Sequence, residues 1–270
     1  MKVGSNNISL SSSNTSSTSL KEQQESAMKR LVSGLKINSA KDDAAGLQIA
    51  NRLANQSSGI QVVMRNASDA FSYSSVAESA LSGINDAAGR INELSLRAAN
   101  ASMSAADRDS IQQEIVQLQG QVSDIQSQTS FAGQTIFTQS NNNQFQVGAN
   151  ANTTIGLSLS SINEQIDAVN SIDVTTITGA QDAISISQTV NENISGQRGK
   201  IGAFQNRIES TINNLSNSYV QSESAKSRIE DTDYAKATAD NIQASIMGQA
   251  NVAVQAQANL SKGLALKLLN

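Results

Sequence analysis

The sequence predicts a mainly α fold: a long antiparallel helical bundle of the coiled-coil kind, with a small β-hairpin region. Three observations carry this. The 270 residues contain no proline, so nothing removes a backbone donor or clashes with the preceding turn inside a helix. Apolar residues recur at three- and four-residue steps near both ends of the chain, the spacing of one helix face. Aromatics make up 3% of the chain, and small apolar side chains suit slender paired helices better than a thick globular core.

Residues 1–20 are dominated by Ser, Thr and Asn, with Ile8, Leu10 and Leu20 as the main apolar anchors. Ser and Asn favour caps and turns, so this end is expected to be poorly ordered alone. A better helix reads from Lys21 to Leu35. Ser39, followed three residues later by Asp42, has the form of a capping box and predicts a second helix start. Ile49, Leu53, Ile60 and Val63 carry that helix's face through Tyr73, and Val76, Ala80, Ile84, Ala87, Ile91, Leu94 and Ala98 extend it. Asn100 to Ser104 reads as a turn. Ile111, Ile115, Leu118, Val122 and Ile125 then step by 4, 3, 4 and 3, a heptad seam. Two striped helices joined by a short connection fold back antiparallel.

The middle differs. Phe145 to Ser160 alternates apolar and polar residues around a Gly-Ala-Asn-Ala-Asn turn, which predicts a β-hairpin within about 133–160. Asp173 to Thr178 is a connector, and helix resumes by Ala180. Ile201, Phe204, Ile208, Ile212, Leu215 and Tyr219 form a third long stripe. After Asp231 a last helix carries Ile242, Ile246, Ala253, Ala256, Leu260 and Leu264.

Composition narrows the function. With 19 basic and 23 acidic residues and a net charge of −4, no basic surface for nucleic acid is expected. The chain has neither Cys nor His, which removes disulfides, thiol and imidazole chemistry and the common zinc sites. No metal-loop or phosphate-loop spacing occurs. The Lys41-Asp42-Asp43 run reads as a helix start near the positive end of a helix dipole, ahead of a cation site or catalytic dyad, and the Asp231/Asp233 pair reads as capping or intersubunit pairing, ahead of metal binding. The expectation is therefore no catalytic residue, no cofactor, no metal and no enzyme activity. The N-terminal stretch lacks the apolar region of a cleaved signal. No window approaches the roughly 20 apolar residues of a membrane span. No membrane insertion is expected, and the chain either stays in the cytoplasm or is exported without a cleaved apolar signal.

Several segments together resemble bacterial flagellin. RLVSGLKINSAKDDAAGLQIANRL (Arg30–Leu53) is the most specific, joined by RINELSLRAAN (Arg90–Asn100), FQVGAN (Phe145–Asn150), GKIGAFQNRIESTINNL (Gly199–Leu215) and RIEDTDYA (Arg228–Ala235). The resemblance implies a filament-core domain from residues 1–42 and 230–270, and a helical rod domain over 43–229. The interval from Gly133 to Gly179 is short, so no large outer domain is expected. Short polar-rich helices are marginal in water until something covers them, and both terminal segments are expected to be disordered in the monomer. Ser11–Ser19 replaces positions where the family usually carries Leu, which implies weaker packing of the first helix.

The function so implied is a structural subunit that polymerises into the flagellar filament for motility. The alternative is a flagellin-like hook–filament junction protein. Implied partners are other copies of the chain in a helical homopolymer, an export chaperone and the flagellar type III export apparatus, and hook-associated and cap proteins. The implied location is secreted and extracellular, in the flagellum. By motif position Arg90, Leu94 and Glu114 match flagellin residues that contact a vertebrate innate receptor, Toll-like receptor five. Arg90 and Leu94 lie one turn apart and can share a helix face. The plain alternative makes Leu94 a core residue and the charges solvated. Leu266, Leu268 and Leu269 match the tail that flagellin-sensing inflammasome receptors recognise, with filament-core packing as their first role.

Overall fold

The computed structural model describes residues 4–137, 142–159 and 162–269, with side chains described for 15–137, 143–159 and 162–260. Six helices and four short strands follow in the order α1 (Gly4–Ser33), α2 (Ala44–Ala98), α3 (Ala105–Gln128), β1 (Ser130–Phe131), β2 (Gln134–Thr135), β3 (Asn142–Gln146), β4 (Thr154–Ser158), α4 (Ile162–Asn170), α5 (Ile177–Glu230) and α6 (Tyr234–Leu269). The fold is mainly α, as the sequence predicts. Between β2 and α5 the described residues form one hairpin and one short helix, and no large outer domain is inserted. The chain divides into two compact units, residues 58–219 and residues 1–57 with 220–270.

In the 58–219 unit, α2 buries one unbroken seam: Ile60, Val63, Ala67, Ala70, Ser74, Ala77, Leu81, Ile84, Ala88, Ile91, Ser95 and Ala98. The steps alternate three and four. α5 buries a matching seam through Ala180, Ala183, Ser187, Val190, Ile194, Gln197, Ile201, Phe204 and Ile208. A sustained 3.5-residue repeat winds helices into a left-handed supercoil. The two run antiparallel, because rising numbers on one meet falling numbers on the other. Gln61 Nε2 donates to Tyr219 Oη (2.9 Å), Gln205 Nε2 to Glu78 Oε2 (3.2 Å) and Asn92 Nδ2 to Ser187 Oγ (2.8 Å).

The seam corrects the reading of α2's face. Ile49 and Val76 are exposed, and the buried line runs instead through Ala50 and the Ala and Ser positions. Small side chains let helices approach closely, so Ala and Ser can fill a seam that a search for large apolar residues overlooks. The seam serines each return their hydroxyl proton to their own helix: Ser74 to Phe71 O, Ser95 to Ile91 O and Ser187 to Ala183 O, all at 2.7 Å.

α3 starts where the turn predicts. Ser104 is its N-cap, and Ser104 and Asp107 form a complete capping box. The predicted box at Ser39 is a separate local turn. There Asp42 accepts from the Asn38 and Ser39 backbone N–H groups and from the Ser39 hydroxyl. The cap of α2 is Asp43, whose Oδ1 accepts from Gly46 N (2.9 Å) and whose carbonyl accepts from Leu47 N (3.0 Å). A Cβ at Gly46 would lie 2.5 Å from the Asp43 carboxylate and 2.7 Å from Ile37, so only glycine fits that first turn.

The expected hairpin is present as β3–β4, and among the described residues a shorter one, β1–β2, precedes it. β1 and β2 join through Ala132 (φ 51) and Gly133 (φ 80), the doubly left-handed pattern of a type I′ turn. β3 pairs antiparallel with β4, from Asn142↔Ser158 to Gln146↔Thr154, so its first strand begins before Phe145. Phe145 stacks between Tyr73 and Phe204, with ring centroids 5.4 and 5.7 Å away.

The short helix α4 also escaped the sequence reading. Ile162, Ile166 and Val169 are fully buried, and three glutamines of α3, spaced by seven, clamp it. Gln119 Nε2 donates to Val169 O and Ile172 O, both at 3.0 Å, satisfying carbonyls at and just beyond its C-terminal end. Gln112 Oε1 accepts from Val174 N (2.8 Å), and Gln126 Nε2 donates to Asn163 Oδ1 (3.2 Å).

Candidate functional site

The unit formed by 1–57 and 220–270 pairs α1 with α6. Leu20 and Ala27 are buried on one helix, Ala237 and Ala244 on the other. The pair is antiparallel: Ser17 and Leu20 share a groove with Val252 and Ala253, while Ala27 and Arg30 share one with Ala237. α1 runs from Gly4, well before the expected Lys21. Local propensity is a weak prior, and α6 supplies the cover that the polar N-terminal sequence lacks alone.

The start of α6 is held by a tight junction. Lys36 N donates to Glu230 O (2.5 Å) and Thr232 N to Gly34 O (2.9 Å), with Leu35 bridged to Asp231. Gly34 has φ +72, and a Cβ there would lie 3.1 Å from the Tyr234 hydroxyl. Asp233 caps α6, its Oδ1 accepting from Lys236 N (3.1 Å) and its carbonyl from Ala237 N (2.9 Å). Asp231 accepts from the Ser227 hydroxyl. Both aspartates, like Asp42 and Asp43, are engaged in local backbone or hydroxyl contacts.

What this unit leaves uncovered is its most telling feature. Val32 is 86% exposed and Leu260 66%. Along α6, Ile242, Ile246, Met247, Val252 and Val254 are also exposed. Large exposed apolar runs mark surfaces that meet another protein. The tail residues Leu266, Leu268 and Leu269 belong to α6, but their side chains lie outside the described residues.

The charged patch sits on the other unit. Arg90 Nη2 and Nε bond Glu114 Oε1 at 2.8 and 3.1 Å, and Nη1 bonds Glu93 Oε2 at 2.9 Å. These two carboxylates, Glu114 first, push the Arg90 guanidinium above its ordinary pKa. Leu94 does not join them at the surface: it is 1% exposed and belongs to the core. The exposed spot is therefore Arg90, Glu93 and Glu114, and Glu93 is the member that the sequence reading missed. Its spacing of three from Arg90 was the available signal. Among the described residues no group of three acidic side chains is placed to hold a metal ion, and no helix is long and apolar enough to cross a membrane.

Residues 5–142 match the family model described as the bacterial flagellin N-terminal helical region, and residues 184–269 match the bacterial flagellin C-terminal helical region. The chain belongs to the bacterial flagellin family. It is 30% identical to flagellin C of Vibrio cholerae over 369 positions, covering 97% of this chain and 98% of that one. It is 29% identical to polar flagellin F of Vibrio parahaemolyticus over 358 positions, covering 93% and 95%. Both alignments are longer than the 270-residue chain, so these flagellins carry segments that it lacks. The crystal structure of Bacillus cereus flagellin shares its fold, with a TM-score of 0.50 at 24% identity over 56% of this chain and 88% of that one.

The chain is thus a structural subunit of the bacterial flagellar filament, and the junction-protein alternative is not favoured. Flagellins are structural proteins, and the capped, locally bonded aspartates are in keeping with that role.

Proposed function

We propose that the flagellin monomer is activated for growth of the filament by its own uncovered terminal helices. The observation that carries this reading is the row of exposed apolar residues on α6, from Ile242 to Leu260, against a partner helix that covers only part of it. Residues 1–42 and 230–270 then form the filament core, are mobile in the free subunit and become ordered as neighbouring copies cover them. Burial contributes roughly 25 cal/mol per Å² of apolar surface, offset by the cost of ordering both segments. Contacts of this kind are head-to-tail, so each added subunit presents the same face again and an open helical polymer results.

Terminal helices that order late also suit passage through a narrow export channel. The route that the family likeness suggests is secretion by the flagellar type III apparatus with an export chaperone, and final placement outside the cell between hook-associated and cap proteins. The Leu266, Leu268 and Leu269 tail acts first in core packing and only incidentally as a target of inflammasome receptors.

The test is seeded growth followed by negative-stain microscopy. The full chain is expected to extend salt-induced seeds into long filaments, and a chain lacking 1–42 and 230–270 is expected to stay monomeric. Filaments from the truncated chain would sink the reading.

Toll-like receptor five remains the proposed host partner of the Arg90 and Glu114 patch. Leu94 takes part by setting the helix face, since its side chain lies in the core. In a binding assay Arg90→Ala is expected to weaken receptor capture about tenfold, the scale of a charged contact. Equal capture by both chains would remove the patch from the account.

A further inference from the structure

The two long helices of the 58–219 unit each carry a Ser-Gly pair, Ser82-Gly83 on α2 and Ser195-Gly196 on α5. Gly/Ser pairs are among the few causes of sharp bends in helices. The contacts between the two helices set their levels. Gln205 Nε2 donates to Glu78 Oε2 (3.2 Å), and Arg198 Nη2 lies 3.8 Å from Glu78 Oε1. Asn92 Nδ2 donates to Ser187 Oγ (2.8 Å) and Ile184 O (3.3 Å). Between these two anchors, Gly83 falls level with Gly196. On the α3 side, Arg90 bonds Glu114 (2.8 Å), and a Cβ at Gly83 would lie 3.2 Å from Ile125 Cδ1. Gly120 of α3 lies between those two contacts, within about a turn of Gly83's level. One cross-section of the unit therefore holds a glycine on each of its three longest helices.

Space does not account for most of these glycines. Gly83 is pressed by Ile125, but a Cβ at Gly120, Gly196 or Gly199 would meet no atom within 4 Å. Alanine fits at all three and is the better helix former. The same level holds polar groups inside the packing. Gln197 takes a buried place in the α5 seam between Ile194 and Ile201. Asn85 Oδ1, Asn191 Oδ1 and Arg198 Nε are buried with no hydrogen-bonding partner among the described residues. Closing helices over such atoms costs stability, and contact with water restores their hydrogen bonds. α5 is anchored on either side of this stretch. Asn193 Nδ2 donates to Gln165 Oε1 of α4 (3.0 Å), and Phe204 meets Phe145 of β3 with ring centroids 5.7 Å apart.

We infer that this cross-section is a joint: α2, α3 and α5 loosen there together, while the seams on either side of it stay closed. The joint lets the two ends of the 58–219 unit tilt against each other without unpairing. It lies within one chain, so it stands or falls independently of the polymerisation reading.

Hydrogen exchange of the full chain, kept monomeric, tests it. After correction for intrinsic rates, amides of 82–87, 119–124 and 196–201 are expected to exchange about tenfold faster, or more, than those of 67–77 and 180–190. Gly196→Ala with Gly199→Ala then asks whether the helices act together. Each alanine favours the closed helix about fivefold, so exchange at 196–201 is expected to slow about 25-fold. A shared joint slows 82–87 and 119–124 by a similar factor, although neither of those helices has been altered. Gly120→Ala, made separately, is expected to slow all three stretches about fivefold from the α3 side. Equal exchange along the three helices of the unsubstituted chain overturns the joint. So does slowing confined to the substituted helix in either variant.

Discussion

The 58–219 unit and the unit of 1–57 with 220–270 are built from the same kind of helix, even from parts of the same two helices, yet they differ in what is covered. In the first, α2 and α5 bury matched seams, and α3, α4 and the β3–β4 hairpin add Ile115, Val122, Ile155, Leu157, Ile162 and Ile166 to one continuous core. In the second, the buried apolar residues among those described are Leu20, Ala27, Ile37, Ala50, Ala237 and Ala244. Four of these six are alanines. Apolar side chains such as Ile246 and Leu260 face outward instead. One region covers its apolar side chains within a single chain, and the other leaves a row of them open, the surface proposed above to meet sister chains. The proposed polymerisation uses both: a folded body, and apolar surface left open on the terminal helices.

Making the uncovered face polar should have the largest effect. Ile242→Ser with Ile246→Ser is expected to raise the concentration needed for filament growth by about two orders of magnitude, taking roughly 1–2 kcal/mol for each side chain that no longer becomes buried. The monomer's thermal midpoint should scarcely move, because both residues are already exposed. A large drop in that midpoint with growth unchanged would reverse the roles assigned to the two units.

The converse change is Leu81→Ala, which empties a fully buried place in the α2 seam. It is expected to cost about 3 kcal/mol in denaturant unfolding, while filament growth persists wherever the body remains folded. A cost below ~1 kcal/mol would mean that the seam is looser than its burial implies.

Caps give smaller effects. Ser104→Ala removes the N-cap of α3 and should cost about 1 kcal/mol, with faster amide exchange at Asp107. The same contact sets a pH dependence. The Asp107 carboxyl lies below its ordinary 3.8 because the Ser104 hydroxyl and then its backbone N–H donate to it. Asp42 is lowered in the same way by Ser39, first through the hydroxyl. A depressed folded pKa contributes stability that is full above 3.8 and is lost as pH falls through the lower folded value. Carboxyl titration followed by NMR should show the Asp107 midpoint return toward 3.8 in Ser104→Ala. An unmoved midpoint would detach the shift from the cap.

Much of the fold was legible because helices announce themselves by period. The α3 seam from Ile111 to Ile125 and the α5 stripe through Ile201, Phe204 and Ile208 could be read directly. The α2 seam was only half legible: Ala70, Ser74, Ala77 and Ser95 carry no hydrophobic signal strong enough to outweigh Ile49 or Val76, and what selects them is the approach of a neighbouring helix. α4 was missed since nine residues with three buried aliphatics resemble a strand or loop until the glutamines of α3 are seen to hold them. The charged patch was legible by likeness at Arg90 and Glu114, and the inward turn of Leu94 follows from a heptad phase that its own one-turn spacing from Arg90 does not reveal.

The clamp on α4 has a consequence for how such a chain can vary. Gln112, Gln119 and Gln126 reach their targets only because each is two turns from the next on one helix. Inserting or deleting a single residue between them would rotate everything beyond it by about 100° and swing at least one amide off its carbonyl. This stretch can exchange letters over evolutionary time but cannot change its letter count, and growth or shrinkage of the chain falls to the turns.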